Sequence, residues 1–341
     1  KARNQAAYFL KTPTAYAWRF MRLAARKAAR RLHPALRLAA FSKVSMYHPG
    51  ELEVQSRAGV QYQASRVGKI IGAAIPPAAQ EFLRRQPFAA LSSVDARGRV
   101  WLSLLTGKPG FMRATDEQTV TIDGVPLSHD PLRENLQANP SAGMLVMEFA
   151  TRKRMRVNGK GELRDNRVIV YAEQVYSNCP KYIQARKWKL PDITPQASSA
   201  TRSGALTMPQ QAWVKQADTF FIGSFHPQSG ADASHRGGNP GFVTVLDEKT
   251  LLWPDYIGNN MFNTLGNIMV YPKTGLLFVD FDKGTTLQLT GTAKVIWDMS
   301  HAVEFPGAQR LVEFQCKEVI ETQNAIPLRW TFHDYSSFNP I

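Results

Sequence analysis

The chain has 341 residues, of which 44% are hydrophobic and 10% aromatic, and its formal net charge is +15. This length accommodates two domains of ordinary size, and this composition is typical of globular proteins, which excludes disorder over most of the chain. Its two cysteines, Cys179 and Cys316, lie far apart, with no further cysteine at metal-binding spacing. This argues against a disulfide framework, a zinc site or an iron–sulfur cluster, and it favours a reducing compartment.

The positive charge is concentrated in the first 50 residues. This arm contains four Lys, seven Arg and no acidic residue, whereas the rest of the chain has 31 basic and 27 acidic residues, a surplus of only four. The segment that begins at Pro13 is rich in Ala, Leu, Met and Arg, which predicts a helix that ends at Pro34. It has an apolar stripe and an adjacent basic stripe. The apolar stripe comprises Trp18, Met21, Ala25, Ala29 and Leu32. The basic stripe comprises Arg19, Arg22, Arg26 and Arg30.

An Arg-rich, acid-free amphipathic helix is typical of mitochondrial targeting sequences, so we expect a mitochondrial location, with the cytoplasm as the alternative. We also expect residues 1–45 to bind a partner. A protein or larger complex ranks first, an anionic membrane surface second and nucleic acid third, while packing of the arm on its own body is an equal alternative. No membrane span is expected, because Arg interrupts the most hydrophobic helical candidate, residues 15–41, about once per turn.

Beyond Glu51, short runs of Val, Leu, Ile and Phe alternate with turn residues, a pattern that favours small antiparallel barrels over βαβ units. Three pairs of segments recur at an offset of 131 or 132 residues, which predicts two copies of one domain. The pairs are TGKPGF (106–111) with GGNPGF (237–242), GMLVMEF (143–149) with GLLFVDF (275–281), and RVNG (156–159) with QLTG (288–291). The segment 189–209 is rich in Pro, Ser, Thr and Ala and is predicted to be a linker.

The two copies differ where chemistry is expected. The second copy has Ser234, His235 and Arg236 in a strand where the first has Ser103, Leu104 and Leu105. It also has the loop WPDYIGNNMFNTLGNI, where the first copy has the shorter SHDPLRENLQANP. A Gly-Asn-Asn turn before a helix can hold a phosphate with backbone N–H groups and side-chain amides, and Arg236 could supply charge. Alternatively, Asn259, Asn260 and Asn263 only cap the helix, His235 is a surface histidine, and Trp253, Tyr256 and Phe262 belong to the core.

These segments resemble the pyridoxamine 5'-phosphate oxidase-like family of FMN-binding split barrels, specifically its two-barrel branch. The resemblance rests on segments 218–243, 251–268, 275–291 and 327–340, and it extends through 48–60 and 178–186 into the first copy. It implies a mainly β, α+β fold with short helices: tandem Greek-key split barrels behind an N-terminal basic helical arm. We place the arm at residues 1–50, a first, structural barrel with a degenerate site at 51–190, and a second barrel with the flavin site at 191–341.

The resemblance also implies where FMN binds. Ser234, His235, Arg236 and Gly237 would line the flavin site, and Gln288 would face the ring from a later strand. The phosphate end would be surrounded by Asp255, Tyr256, Asn259, Asn260, Asn263 and Thr264. Family barrels generally work as dimers, so either the two copies pair within the chain or two chains pair. We expect no metal site and assign no catalytic residue, although His235 is a candidate proton donor.

Two departures from the family pattern limit the expected activity. The loop lacks the Arg and Lys residues with which single-barrel oxidases of the family bind phosphate, which argues against oxidation of pyridoxamine phosphate. Two-barrel relatives often continue into a ferredoxin-reductase-like module, so we expect this chain to receive electrons from elsewhere.

Three functions compete. The first is an FMN-dependent oxidoreductase, in which the protein orients the cofactor. The second is a non-catalytic accessory subunit of a larger mitochondrial complex, anchored by the arm. A third, weaker alternative is a module that binds another ligand, such as haem.

Overall fold

The computed structural model describes residues 46–191, 196–300 and 305–340. The described residues from Tyr47 onward belong to one compact unit. The predicted basic helix lies outside the described residues, so the targeting, accessory-subunit and partner hypotheses that depend on it stay predictions. Within the described ranges, no helix is long and apolar enough to cross a membrane.

A seven-stranded antiparallel sheet forms the first barrel. The strand order along the sheet is β2-β1-β5-β6-β7-β4-β3. The first strand, β1, is buried along its whole length, which places it in the centre of the core. In chain order the elements are α1 Pro49–Arg57, α2 Gln61–Val67, α3 Pro77–Arg85, β1 Phe88–Val94, β2 Val100–Thr106, β3 Met112–Ala114, β4 Thr119–Asp123, α4 Leu132–Ala138, β5 Ser141–Glu148, β6 Lys153–Arg164, β7 Arg167–Ser177 and β8 Ala185–Lys189.

The second barrel repeats the first. Its sheet order is β11-β10-β14-β15-β16-β13-β12, which is the same order with each strand replaced by its counterpart. The elements are β9 Ser199–Ser203, α5 Met208–Gln216, β10 Thr219–His226, β11 Gly230–Gly237, β12 Thr244–Val245, β13 Thr250–Asp255, α6 Asn263–Val270, β14 Lys273–Val279, β15 Thr286–Ile296, β16 Arg310–Gln323 and β17 Arg329–Asp334. The predicted mainly β fold with two copies of one barrel is therefore confirmed.

A glycine in a β-bulge explains one of the sequence repeats. The pairing of β6 with β7 shifts register between Asn158 and Gly159, and that of β15 with β16 shifts between Thr290 and Gly291. A Cβ on Gly159 would lie 1.9 Å from a backbone oxygen of the neighbouring strand, and one on Gly291 would lie 2.1 Å from the equivalent oxygen. Only glycine fits both bulges, which is why RVNG and QLTG end on the same residue.

The predicted linker, residues 189–209, contains more structure than its composition indicates. It includes β9, which pairs antiparallel with β16 at the edge of the second sheet. The side chains of β9 are exposed or half-buried. An edge strand with polar, solvated side chains carries no hydrophobic alternation, so the sequence pattern does not reveal it. The domain boundary at residues 190 and 191 stays a prediction.

The two barrels pack against each other within the chain through two equivalent glycines. A Cβ on Gly143 of β5 would lie 2.6 Å from the Cα of Asp232 in β11. A Cβ on Gly275 of β14 would lie 2.7 Å from the carbonyl oxygen of Val100 in β2. The backbones of the two barrels can approach this closely only where a side chain is missing. Pairing of two chains, the other alternative, stays a prediction.

We expect Gly275→Ala to lower the free energy of unfolding by about 1–3 kcal/mol, because the added methyl group overpacks the contact between the barrels. Gly72→Ala is the matched control, since a Cβ at Gly72 would meet no atom within 4 Å. Its effect should stay within about 0.5 kcal/mol. Urea unfolding of the wild type and both variants measures the difference. Equal effects of the two substitutions would show that the barrels do not depend on this contact.

Candidate functional site

An open cleft, here called the interbarrel cleft, lies between the two barrels. The second barrel contributes the end of β11, the loop after β13 and the start of α6, while the first barrel contributes β6 and the turn after β7. The cleft encloses about 750 Å³ outside the protein atoms, part of it open to solvent. Ten of the eleven predicted binding residues line it: Ser234, His235, Arg236, Gly237, Asp255, Tyr256, Asn259, Asn260, Asn263 and Thr264.

The eleventh predicted residue, Gln288, does not line the interbarrel cleft. Its side-chain amide donates to the carbonyl oxygen of Leu102 at 2.7 Å and to the carboxylate of Asp130 at 3.2 Å. The repeat explains this placement, because Gln288 of β15 is the counterpart of Arg156 of β6. Arg156 reaches across to the second barrel, and Gln288 reaches across to the first. The structure therefore does not bring Gln288 together with the other ten predicted residues.

The N-terminus of α6 faces the interbarrel cleft without a side-chain cap. Its N-cap residue is Phe262, which has a left-handed backbone with φ of 62°, and Asn260 has φ of 64°. The oxygen of Asn259 accepts from the backbone of Met261 instead of capping the helix. The alternative that the asparagines only cap α6 is not what the structure shows. Uncapped N–H groups at the positive end of a helix favour an anion.

An acidic side chain lies behind this helix terminus. Glu51 of α1 accepts a 2.5 Å hydrogen bond from the side-chain amide of Asn263. Burial raises the pKa of Glu51 to about 7, and hydrogen bonds from His48 and Asn263 oppose this shift only in part. Near neutral pH a fraction of Glu51 is therefore protonated, which reduces the repulsion that a full carboxylate charge would exert on an anion in the interbarrel cleft.

Two arginines of the interbarrel cleft lie beside buried carboxylates. Arg156 lies 3.0 Å from Asp232, and both side chains are less than 10% exposed. Its second amino group donates to the hydroxyl of Ser234 at 2.6 Å. Arg236 lies 4.0 Å from Asp255, which already forms a 3.1 Å ion pair with Arg310. Because Asp255 is closer to Arg310, the protein compensates the positive charge of Arg236 only in part, and burial lowers the pKa of Arg236.

Arg154 has no carboxylate among the partners that the described residues provide. Its guanidinium donates to the carbonyl oxygen of Cys179 at 2.9 Å and lies 3.2 Å from Nδ1 of His235. Burial lowers the pKa of Arg154 to about 10. Burial and nearby arginines also hold the pKa of His235 well below its usual value. His235 is therefore neutral at physiological pH, and in this state it can exchange hydrogen bonds but is a poor proton donor.

Several buried polar atoms of the interbarrel cleft have no hydrogen-bond partner within the described part of the chain. They are Nε of Arg156, both amide atoms of Asn178, Nε2 of His235 and Nε of Arg236. Buried polar groups in native proteins nearly always have partners, because an unmet donor or acceptor costs about 1–3 kcal/mol. These donors and this acceptor fit a polar, anionic ligand with hydrogen-bonding groups along its length.

The first barrel contributes residues that the comparison of the two copies did not identify. Six of its residues line the interbarrel cleft: Arg154, Arg156, Asn178, Cys179, Lys181 and Tyr182. The first barrel therefore forms one wall of this cleft, and its purely structural role stays a prediction. One signal was present in the sequence, since the RVNG and QLTG repeats differ by an arginine at their first position.

A second cleft occupies the equivalent position on the opposite side of the barrel pair, and it is lined by Leu104, Leu105 and Gln288, among others. There the carboxylate of Asp130 accepts hydrogen bonds from Ser103 at 2.5 Å, from the backbone N–H of Leu132 at 2.9 Å and from Gln288. Leu132 is the first residue of α4, so Asp130 places an anionic group at that helix terminus. The second cleft thus has an acidic side chain of the protein at this helix terminus, and burial raises the pKa of its carboxyl group.

The counterparts of these groups in the interbarrel cleft are Ser234, Arg156 and the N-terminus of α6. The residue before the N-cap is Asp130 in the first barrel but Met261 in the second, and Met261 cannot supply a charge. Asp232 contacts the hydroxyl of Thr264 at 3.5 Å, yet its carboxylate is engaged by Arg156 and Asn158. The position among Ser234, Arg156 and the start of α6 is therefore the candidate site for an external anion.

Comparison with solved structures finds several proteins that each match about a third of the chain. HupZ from Group A Streptococcus is 11% identical over 34% of this chain and 98% of its own, with a TM-score of 0.29. A Lactobacillus delbrueckii protein named for pyridoxamine 5'-phosphate oxidase is 22% identical over 34% and 94%, with a TM-score of 0.28. The FAD binding protein from Mycobacterium smegmatis is 12% identical over 36% and 98%, with a TM-score of 0.25. These scores are too low to support an argument.

The sequence comparisons are more decisive. Curated protein sequences provide no match. The sequence profile of the family "Pyridoxamine 5'-phosphate oxidase" matches the chain twice, at residues 75–197 and 206–328. Together the two matches cover well over half of the chain, and each coincides with one of the two barrels. The chain therefore belongs to the pyridoxamine 5'-phosphate oxidase family and carries two copies of its domain in tandem.

Proposed function

We propose that this protein binds one FMN in the interbarrel cleft and acts as a flavin-dependent oxidoreductase. The observation that carries the proposal is the uncapped N-terminus of α6, which lies beside Ser234 and Arg156 where the second cleft holds the Asp130 carboxylate. An FMN phosphate would occupy this position. Membership of the family supports a flavin in particular, because the sequence resembles the FMN-binding split barrels.

The residues present fit the phosphate by charge and by hydrogen bonding. The helix terminus supplies backbone N–H groups, and Arg236 supplies a charge that Asp255 compensates only in part. The hydroxyl of Ser234 already contacts both Arg156 and Arg236, at 2.6 and 3.4 Å, so it links the two arginines. A dianionic group placed there would be bound by charge-assisted hydrogen bonds, which are roughly twice as strong as neutral ones.

Only one of the two clefts fits FMN. In the second cleft Asp130 already uses the hydrogen-bond donors, so they are not available to a phosphate. Leu104 and Leu105 replace His235 and Arg236 there, so these two positions supply no compensating cation. A stoichiometry of one flavin for each chain follows.

When bound, FMN would supply the capacity to accept and donate electrons as a hydride or singly. The protein would orient the cofactor and compensate its charge. Arg154 lies 3.2 Å from His235, and its positive charge would compensate negative charge that develops on the ring. The reductant would be a reduced nicotinamide or a redox protein.

The proposal is tested on protein purified without added flavin. We expect absorbance bands of an oxidised flavin in the visible spectrum and, after denaturation, a released molecule with the mass of FMN at one equivalent for each chain. Anaerobic addition of NADH or NADPH should then bleach the bands if a nicotinamide is the donor, and a chemical reductant is the reference. A colourless protein that also fails to bind added FMN, FAD or riboflavin would refute the proposed function.

A further inference from the structure

Asn178 is the most conspicuous polar side chain of the interbarrel cleft without an assigned partner. It follows the end of β7, and its backbone N–H donates to the carbonyl oxygen of Arg154 at 3.2 Å. Both the nitrogen and the oxygen of its side-chain amide are buried, and neither has a hydrogen-bond partner in the described ranges. The side chain lines the interbarrel cleft. A buried amide whose nitrogen and oxygen both lack hydrogen-bond partners lowers the stability of the protein unless a ligand provides those partners.

The position of Asn178 along β6 distinguishes it from the anion site. Arg154 and Arg156 are two residues apart and therefore point to the same face of the strand. Two residues of an antiparallel strand span roughly 7 Å, and Asn178 is bonded to the strand at Arg154, on the side away from the Arg156–Ser234 contact. The backbone of Asn178 therefore lies roughly 7 Å along β6 from Arg156. A ligand held by its phosphate at α6 would present a part other than its phosphate to Asn178.

The chemistry of an amide side chain selects a particular kind of group. Asn178 offers one acceptor and one donor next to each other, in one plane. The matching partner is a planar ring edge with an N–H beside a carbonyl oxygen. The imide edge of a flavin ring, in which the N3–H lies between two carbonyl groups, has this pattern, and it is at the far end of FMN from the phosphate.

We propose that Asn178 is a specificity-determining residue that recognises the imide edge of the flavin ring. Its oxygen accepts from N3–H, and its nitrogen donates to an adjacent ring carbonyl. This inference rests on the proposed function, because it requires that FMN binds in the interbarrel cleft. It adds that a residue of the first barrel recognises the flavin ring, while α6 of the second barrel binds the phosphate.

Titrations with FMN and with N3-methyl-FMN test the inference, since the methyl group removes the N–H and blocks the contact. The flavin-free wild type should bind FMN about tenfold or more tightly than the N3-methyl analogue, as expected for loss of a buried hydrogen bond. Asn178→Ala should bind FMN more weakly and should discriminate no more than about twofold between the two ligands. Asn239→Ala, an exposed asparagine outside the cleft lining, is the control and should keep the wild-type ratio.

The outcomes separate this inference from the proposed function. A wild type that binds both ligands equally would overturn the role of Asn178, and this result does not depend on whether any variant folds. An Asn178→Ala protein that retains the wild-type ratio would also overturn it. A wild type that binds no flavin would instead refute the proposed function.

Discussion

Replacing Arg156 by Met is expected to lower the free energy of unfolding by about 3–5 kcal/mol. The physical reason is the buried carboxylate of Asp232, which lies 3.0 Å from Arg156 and has a side chain only 5% exposed. Met fills a similar volume without a charge, so the substitution leaves Asp232 buried beside an uncharged neighbour. Removing one partner of a buried ion pair lowers the free energy of unfolding by far more than the intact pair contributes to it.

A double-mutant cycle separates this effect from a loss of packing. Asp232→Asn keeps the shape of the carboxyl group and removes its charge. In the double variant Arg156→Met/Asp232→Asn, no buried charge is left without its partner, and we expect recovery of most of the stability that Arg156→Met loses. The measurement is urea unfolding without flavin, because Arg156 also lines the interbarrel cleft. A double variant as unstable as the sum of the single ones would show that the charge pair is not the cause.

Another arginine on the same strand provides the control. Arg164 of β6 forms a 3.2 Å ion pair with Glu162, and both side chains are about half exposed. Solvent-exposed ion pairs contribute about 0–1 kcal/mol, so Arg164→Met should change the stability by no more than that. The two substitutions are chemically identical, and they differ in the burial of the partner carboxylate.

The fold of the barrels was predictable from the sequence because each copy repeats the same local requirements. Segments 143–149 and 275–281 recur since both end up as central, buried strands, β5 and β14. The glycine at the end of RVNG and QLTG recurs since both strands bulge there. The edge strand β9 was missed for the opposite reason, because its side chains are solvated and its sequence is free to vary.

The second-barrel half of the site was predictable because its residues are close in sequence. Ser234, Arg236 and the loop before α6 all lie within one copy, and they stand out against the apolar counterparts in the other copy. The first-barrel half depends on how the two barrels pack. Arg156 meets Ser234 across 78 residues of sequence, and no local pattern specifies that contact. The separation of Gln288 from the other predicted residues has the same origin, since its side chain crosses to the other barrel as that of Arg156 does.

Replacing Arg236 by Met is expected to weaken FMN binding about 10- to 100-fold and to leave riboflavin binding nearly unchanged. The magnitude follows from the loss of one charge-assisted hydrogen bond, about 1.5–3 kcal/mol, at 1.4 kcal/mol for each factor of ten. Arg236 is free to bind a phosphate because its nearest carboxylate contact, Asp255 at 4.0 Å, is closer to Arg310. Its Nε atom is also without a partner in the described part of the chain.

Riboflavin makes this experiment specific, because it shares the ring and the ribityl chain with FMN but lacks the phosphate. Fluorescence titration of flavin-free protein with both ligands gives two affinities for each variant. Arg133→Met, a substitution of an exposed arginine on α4, should leave both affinities unchanged. Equal losses of FMN and riboflavin binding in Arg236→Met would mean that Arg236 contacts the ring or maintains the shape of the cleft. The phosphate would then have to bind at α6 and Arg156 without Arg236, and the orientation of the cofactor in the interbarrel cleft would need to be reassigned.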